Sequence, residues 1–201
     1  DRQLHDWRLH QGLLDQPWGR NEQTLLDECF DWLVVSALEQ PQALVHRDFH
    51  ARNLMLHSHS QPAGELVTID FQDAVTGPIT YDLVSLLRDC YIRWQPAQVE
   101  KWALAYRKKL IQKGRQAGVS DQQFIQWFDL MGLQRHIKVL GIFARLFLRD
   151  GKAGYLHDLP LVLHYTLTVA AKYPSAAHFV EWMEQRILPA CRRQSWWKSL
   201  P

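Results

Sequence analysis

Asp48, Asn53 and Asp70 are three oxygen-bearing side chains whose spacing suggests shared chemistry. They fall in LVHRDFHARNLML, residues 44–56, and ELVTIDFQD, residues 65–73, separated by a segment rich in Ser, Pro and Gly. Two short apolar runs, 53–57 and 65–70, around such a segment predict an antiparallel β-hairpin folding about Gln61 and Pro62. The hairpin brings its outer ends together, and those ends carry Asn53 and Asp70. One carboxylate and one amide oxygen at a sheet edge suit Mg²⁺. That ion takes hard oxygen ligands, usually only one or two protein carboxylates, and fills its shell with water and substrate phosphates. Asp48, five positions before Asn53, is then free to face an incoming hydroxyl.

The pattern H-R-D-x-x-x-x-N followed by a strand-end D-F is that of a kinase catalytic loop and its metal-binding step. A second reading competes on the same residues. His46, Asp48 and His50 alternate, so a strand would put all three on one face as a transition-metal site for a hydrolase. That reading leaves Asn53 and Asp70 without a role. In the first reading His46 is an anchor that bonds the loop backbone or Asp70 and holds the site in shape.

The residues His46-Arg47-Asp48-Phe49-His50-Ala51-Arg52-Asn53, then Ile69-Asp70-Phe71-Gln72-Asp73, then Tyr81-Asp82-Leu83, resemble the aminoglycoside phosphotransferase family of small-molecule kinases. The run IDFQDAVTGPITYDLVSLLRDCY is similar to one branch of it, bacterial anomeric kinases acting on N-acetylmuramate and N-acetylglucosamine in cell-wall recycling. Arg47 stands where many members carry Gly. The resemblance implies an α+β fold, the C-terminal lobe of a protein-kinase-like structure, mostly α-helical around a catalytic β-hairpin. It implies ATP and Mg²⁺ as cofactors, Asn53 and Asp70 as the metal and nucleotide-phosphate ligands, and Asp48 as the catalytic base, with His46 or Arg47 bracing the loop. Asp82 is expected to tie its helix to that loop; the plainer reading is a helix cap. Asp73, Arg88 and His50 are candidates for contact with the acceptor, against turn or ion-pair roles. An aminoglycoside, choline or homoserine kinase would share these catalytic residues, and a non-catalytic pseudokinase lobe is the remaining alternative.

A kinase also needs a Gly-rich loop over the phosphates and a strand-borne Lys. The first 45 residues contain only Gly12 and Gly19 and no lysine. The expectation is one domain over residues 1–201, with the smaller N-terminal nucleotide-binding lobe absent from this chain.

Composition bounds the class. At 201 residues, 47% hydrophobic and 22% charged, the chain can bury a full core. A net charge of +2 gives no sign of a field for nucleic acid or membrane; a small-molecule partner is what the resemblance implies. Three widely spaced cysteines, Cys29, Cys90 and Cys191, suggest reduced thiols and a cytoplasmic protein. Nine Trp residues predict a large aromatic core, with one or two free for sugar stacking.

The elements that must position the site follow from periodicity. Residues 1–15, with Leu4, Trp7, Leu13 and Leu14, read as a first helix and 16–20 as a loop. Asn21 is placed as the cap of a helix from Glu22 to Gln40 that buries Leu25, Leu26, Cys29, Trp32, Leu33 and Ser36. Pro41 ends it, and 43–45 lead extended into the loop. Helices are expected from Pro96 to the glycines Gly114 and Gly118, from Asp121 to Leu148, from Pro160 to Tyr173, and from a Ser175 cap to Leu188. His136 and Arg145 are expected to pack or pair, and the tail 192–201 to be peripheral.

Overall fold

The computed structural model describes residues 18–56, 64–115 and 119–199. The expected helix over 1–15, the hairpin tip with His57, His59, Gln61 and Pro62, and Gly118 lie outside the described residues. Helix α1 spans Arg20–Leu38. Its cap is not Asn21, which lies inside the helix. Glu22 instead reaches back and accepts the Gly19 N–H at 2.8 Å, one half of a capping box. Leu26, Cys29, Leu33 and Ser36 are buried along one stripe, as their spacing predicts.

The chain divides into two compact units, Ser36–Met131 and Asp1–Val35 with Gly132–Pro201. The first holds two nested hairpins. Strand β1 (Gln42–Val45) pairs antiparallel with β4 (Val75–Pro78), and between them β2 (Leu54–Leu56) pairs antiparallel with β3 (Leu66–Thr68). The described residues between Val45 and Val75 are thus an excursion from one two-stranded base. The base is closed by Ile79 N–H donating to the Pro41 carbonyl at 3.0 Å. Beside it, buried Gln40 accepts the Thr80 hydroxyl at 2.6 Å, which ties the entrance of β1 to the start of the next helix.

That helix, α2 (Tyr81–Leu87), buries Leu83, Val84 and Leu87 in one cluster with Val99, Phe124 and Phe128. Val99 belongs to α3 (Pro96–Gln112), which Pro96 opens at a position that needs no N–H. Gly114, at φ +65°, closes α3 in a Schellman motif: its N–H goes to Ile111 and the Arg115 N–H to Leu110, both at 2.9 Å. Phe124 and Phe128 lie on α4 (Asp121–Asp150), whose first turn is capped by the Ser120 hydroxyl at 3.1 Å from Gln123 N. Each such side chain contributes about 1.5–3 kcal/mol when fully buried, so α2 is held firmly against the site it carries.

In the other unit α5 (Leu159–Ala170) packs on α6 (Ala177–Trp182). The last helix does not start from a Ser175 cap; it enters through a 3₁₀ turn, Pro174–Ala176. It then widens into a π turn over Met183–Ile187 before α7 (Leu188–Arg192). Pro189 explains the widening, because it has no N–H to give and its ring crowds the carbonyl four residues back. The tail is not wholly peripheral: Trp196 is buried. No helix among the described residues is long and apolar enough to cross a membrane.

Candidate active site

The loop between β1 and β2 is built by backbone bonds before any side chain acts. His50 N–H donates to the Asp48 carbonyl at 3.0 Å, and Asn53 N–H to the His50 carbonyl at 2.9 Å. These bonds wind residues 51–53 into one 3₁₀ turn ahead of β2. Arg47 adopts a left-handed conformation, φ +77°. A glycine reaches that region freely, which gives a physical reason for the Gly common at this position in the resembling family.

Asp82 holds the loop from outside. One carboxylate oxygen accepts the His46 N–H at 2.7 Å and the other accepts the Arg47 N–H at 3.1 Å. Both donors are backbone groups of residues that have left β1, so the aspartate replaces the strand partner they lost. The Thr80 hydroxyl is engaged by Gln40 and does not cap the helix, while the Asp82 carboxylate serves the loop.

His46 points the other way. Its Nε2 lies 2.9 Å from the Ile69 carbonyl oxygen. A carbonyl only accepts, so Nε2 carries a proton there. Nδ1 is buried with no hydrogen-bond partner among the described residues. The anchor therefore grips the peptide just before Asp70, at φ +64°, another left-handed residue. Asn53 completes the join: its carbonyl accepts the Ile69 N–H at 3.1 Å. The two ends of the inner hairpin are thus adjacent in space, as the sequence predicts for Asn53 and Asp70.

The orientations of these two side chains are set. Asn53 Nδ2 donates to the Asp48 carbonyl at 2.9 Å, which leaves its amide oxygen available. Asp70 accepts Gln72 Nε2 on one oxygen at 2.7 Å and keeps the other. An amide oxygen and one carboxylate oxygen at a sheet edge fit a Mg²⁺ that takes the rest of its shell from phosphates and water. Asp48 is exposed, and no cation pairs with its carboxylate among the described residues. By contrast, His46, Asp48 and His50 lie in the loop after β1 and not on a strand, and no three His, Cys, Asp or Glu groups gather for a metal among the described residues.

The other candidates take varied places. Asp73 is exposed in the turn that the Ala74 N–H closes onto Phe71. Arg88 forms an ion pair with buried Asp129 at 2.6 Å and lies over the Phe128 ring at 4.4 Å. His50 meets the Tyr91 ring edge-on at 6.2 Å.

Sequence reasoning gave no role to Tyr91, the last residue of the run 69–91, or to Arg52, whose guanidinium carbon sits 3.5 Å over the Tyr91 ring. Burial is the main cause that pushes the Tyr91 hydroxyl well above its ordinary range. Two exposed tryptophans, Trp94 and Trp102, meet edge-on at 5.2 Å beside a cleft of about 410 Å³ that Tyr106 and Lys109 also line. These are the described tryptophans that best fit the stacking expectation; Trp127, Trp182 and Trp196 are core.

The family model described as the phosphotransferase enzyme family matches residues 1–117. An N-acetylmuramate/N-acetylglucosamine kinase of Neisseria meningitidis serogroup B is 43% identical over 156 residues, 78% of this chain and 45% of its own. Proteins of the same name from Pseudomonas aeruginosa and Pseudomonas putida are 45% and 42% identical, over 75% and 82% of this chain and 43% and 44% of their own. The chain spans less than half the length of these curated relatives. It belongs to the phosphotransferase enzyme family.

Proposed function

We propose that this chain is the catalytic and acceptor-binding lobe of an ATP-dependent kinase that phosphorylates the anomeric hydroxyl of N-acetylmuramate or N-acetylglucosamine. The observation that carries the reading is the closed loop from His46 to Asn53. It is held by Asp82 on one side and joined to Asp70 through Ile69 on the other, with the Asp48 carboxylate left exposed. The names of relatives at 42–45% identity support the choice of acceptor.

Phosphoryl transfer depends mainly on positioning and charge neutralisation, because its transition state is loose. Asp48 aligns the acceptor hydroxyl and takes its proton as the new O–P bond forms and the bond from the γ-phosphorus to the departing ADP oxygen breaks. Asn53 Oδ1 and the free oxygen of Asp70 are the groups that would hold Mg²⁺. Bound there, the ion would neutralise charge on the phosphates. His46 keeps Asp70 in register with Asn53, and the Arg47 backbone aims Asp48. An anomeric hydroxyl is more acidic than an ordinary alcohol, which suits a carboxylate base. In this reading the nucleotide-covering elements lie outside these 201 residues, and the protein works in the cytoplasm, where ATP is made and thiols stay reduced.

The test is ³¹P NMR of the full-length gene product given Mg·ATP and each sugar, with Asp48→Asn as control. A sugar 1-phosphate resonance that disappears in the variant is the expected result. ATP binding without sugar phosphate would move the acceptor elsewhere, and absence of ATP binding would end the kinase reading.

A further inference from the structure

We propose that Arg52 reads the carboxylate of the acceptor and sets the preference between the charged and the uncharged amino sugar; this rests on the sugar-kinase reading above. N-acetylmuramate is N-acetylglucosamine carrying a lactyl ether on O3, and the lactyl carboxylate is its one charge. With the anomeric oxygen at Asp48, a protein that distinguishes the two needs a cation about one sugar ring away. It must also be a cation that no protein carboxylate already holds.

Arg52 is the candidate on the loop that carries Asp48. It follows Asp48 by four residues, immediately before Asn53, in the turn Ala51–Asn53, and it is exposed. No carboxylate pairs with it among the described residues. Arg88, the other arginine considered for acceptor contact, is already paired with Asp129.

The Arg52 guanidinium is also preorganised. Its central carbon rests 3.5 Å over the Tyr91 ring, a cation–π contact that holds the group against the ring face and leaves its N–H edge for a ligand. Tyr91 in turn meets the His50 ring edge-on, 6.2 Å away, so the platform contacts the loop that carries Asp48. A planar fork of N–H donors matches a carboxylate with two parallel bonds. Holding the fork in place before binding spares the entropy of ordering a long side chain.

The experiment measures kcat/KM of the full-length gene product with Mg·ATP for both sugars, in the wild type, Arg52→Gln, Arg52→Lys and Tyr91→Leu. A charge-assisted hydrogen bond predicts that Arg52→Gln lowers the ratio of N-acetylmuramate to N-acetylglucosamine kcat/KM roughly 10- to 100-fold, mostly through KM for the charged sugar. Arg52→Lys, which keeps the charge and loses the fork, should fall between. Tyr91→Leu should lower the same ratio by a smaller factor. A ratio unchanged within about twofold in Arg52→Gln overturns the proposal, whether both rates are kept or both fall together. A wild type that phosphorylates both sugars while Arg52→Gln leaves the ratio intact removes Arg52 alone. A wild type that phosphorylates neither removes the sugar-kinase reading along with it.

Discussion

The Asp82 carboxylate accepts the N–H groups of His46 and Arg47 together, one on each oxygen, at 2.7 and 3.1 Å. It is therefore the joint between a buried helix and an exposed loop. In Asp82→Asn one oxygen becomes an NH₂ that faces one of the two donors. Hydrogen bonds to charged groups are worth about 1.5–3 kcal/mol, so we predict a stability loss of about 2 kcal/mol by urea unfolding. The loop would also lose its aim, and misplacement on the scale of an ångström costs on the order of 100-fold in rate. Transfer to the sugar should fall by at least that factor while ATP binding persists. A variant with full turnover would show that Asp82 only caps its helix.

Arg47 holds φ +77°, where a side chain costs about 1–2 kcal/mol that glycine avoids. Glycine gives back part of this through its larger entropy in the unfolded chain. Arg47→Gly should therefore leave the melting temperature unchanged or raise it, with a gain of at most about 1 kcal/mol. Arg47→Val, β-branched in the same backbone, should destabilise by more than 1 kcal/mol. If the arginine side chain braces the loop, Arg47→Gly loses turnover without losing stability, and the two readouts separate. Destabilisation by glycine equal to that by valine would mean that side-chain contacts, not the backbone, hold this position.

Burial pushes the thiols of Cys29 and Cys191 up to about 12 from 9.0. The Tyr91 hydroxyl is raised as well, first by burial and then by its neighbours Cys90 and Asp89. The protonated forms are therefore favoured in the folded state. Below pH 9 both states keep the thiol protons and these groups do not alter stability. Between pH 9 and 12 the unfolded chain loses its protons first, so stability falls as pH rises. Each thiol contributes a slope of up to about 1.4 kcal/mol per pH unit. Urea midpoints should stay flat from pH 7.5 to 8.5 and drop beyond 9. A Cys29→Ala, Cys191→Ala double variant should show a shallower drop, and equal slopes in both proteins would refute the assignment.

Much of this site was legible because its chemistry lies in contiguous residues. Asp48, Asn53 and Asp70 stand at fixed offsets around a turn-rich segment, and a hairpin can bring them together in only one way. The stripe of α1 was legible for the same reason, since helical periodicity needs no partner to be read. The start of α1 was not. Gly19 and Glu22 satisfy each other across three residues, and a bond from a side chain back to a glycine leaves no signature as plain as an Asn cap. Tyr91 was equally hidden, because it acts through a ring contact with Arg52, thirty-nine positions earlier. The π turn before Pro189 had a visible cause and no visible extent, since a proline marks where a helix must adjust but not how.

Asn53 makes the sharpest remaining test, because its two ends do different work. Its nitrogen ties the Asp48 carbonyl at 2.9 Å, and its oxygen is the proposed Mg²⁺ ligand. Asn53→Ala removes both, so we predict a fall in kcat on the order of 100-fold and a rise of at least tenfold in the Mg²⁺ concentration giving half-maximal rate. Asn53→Asp keeps a ligand oxygen and adds charge, but it has no donor for the Asp48 carbonyl. It should bind Mg²⁺ at least as well as the wild type and still turn over slowly. A magnesium titration on the wild type and both variants separates the roles. If Asn53→Ala leaves the Mg²⁺ requirement unchanged while kcat falls, the amide is a brace for Asp48 and the ion is held elsewhere.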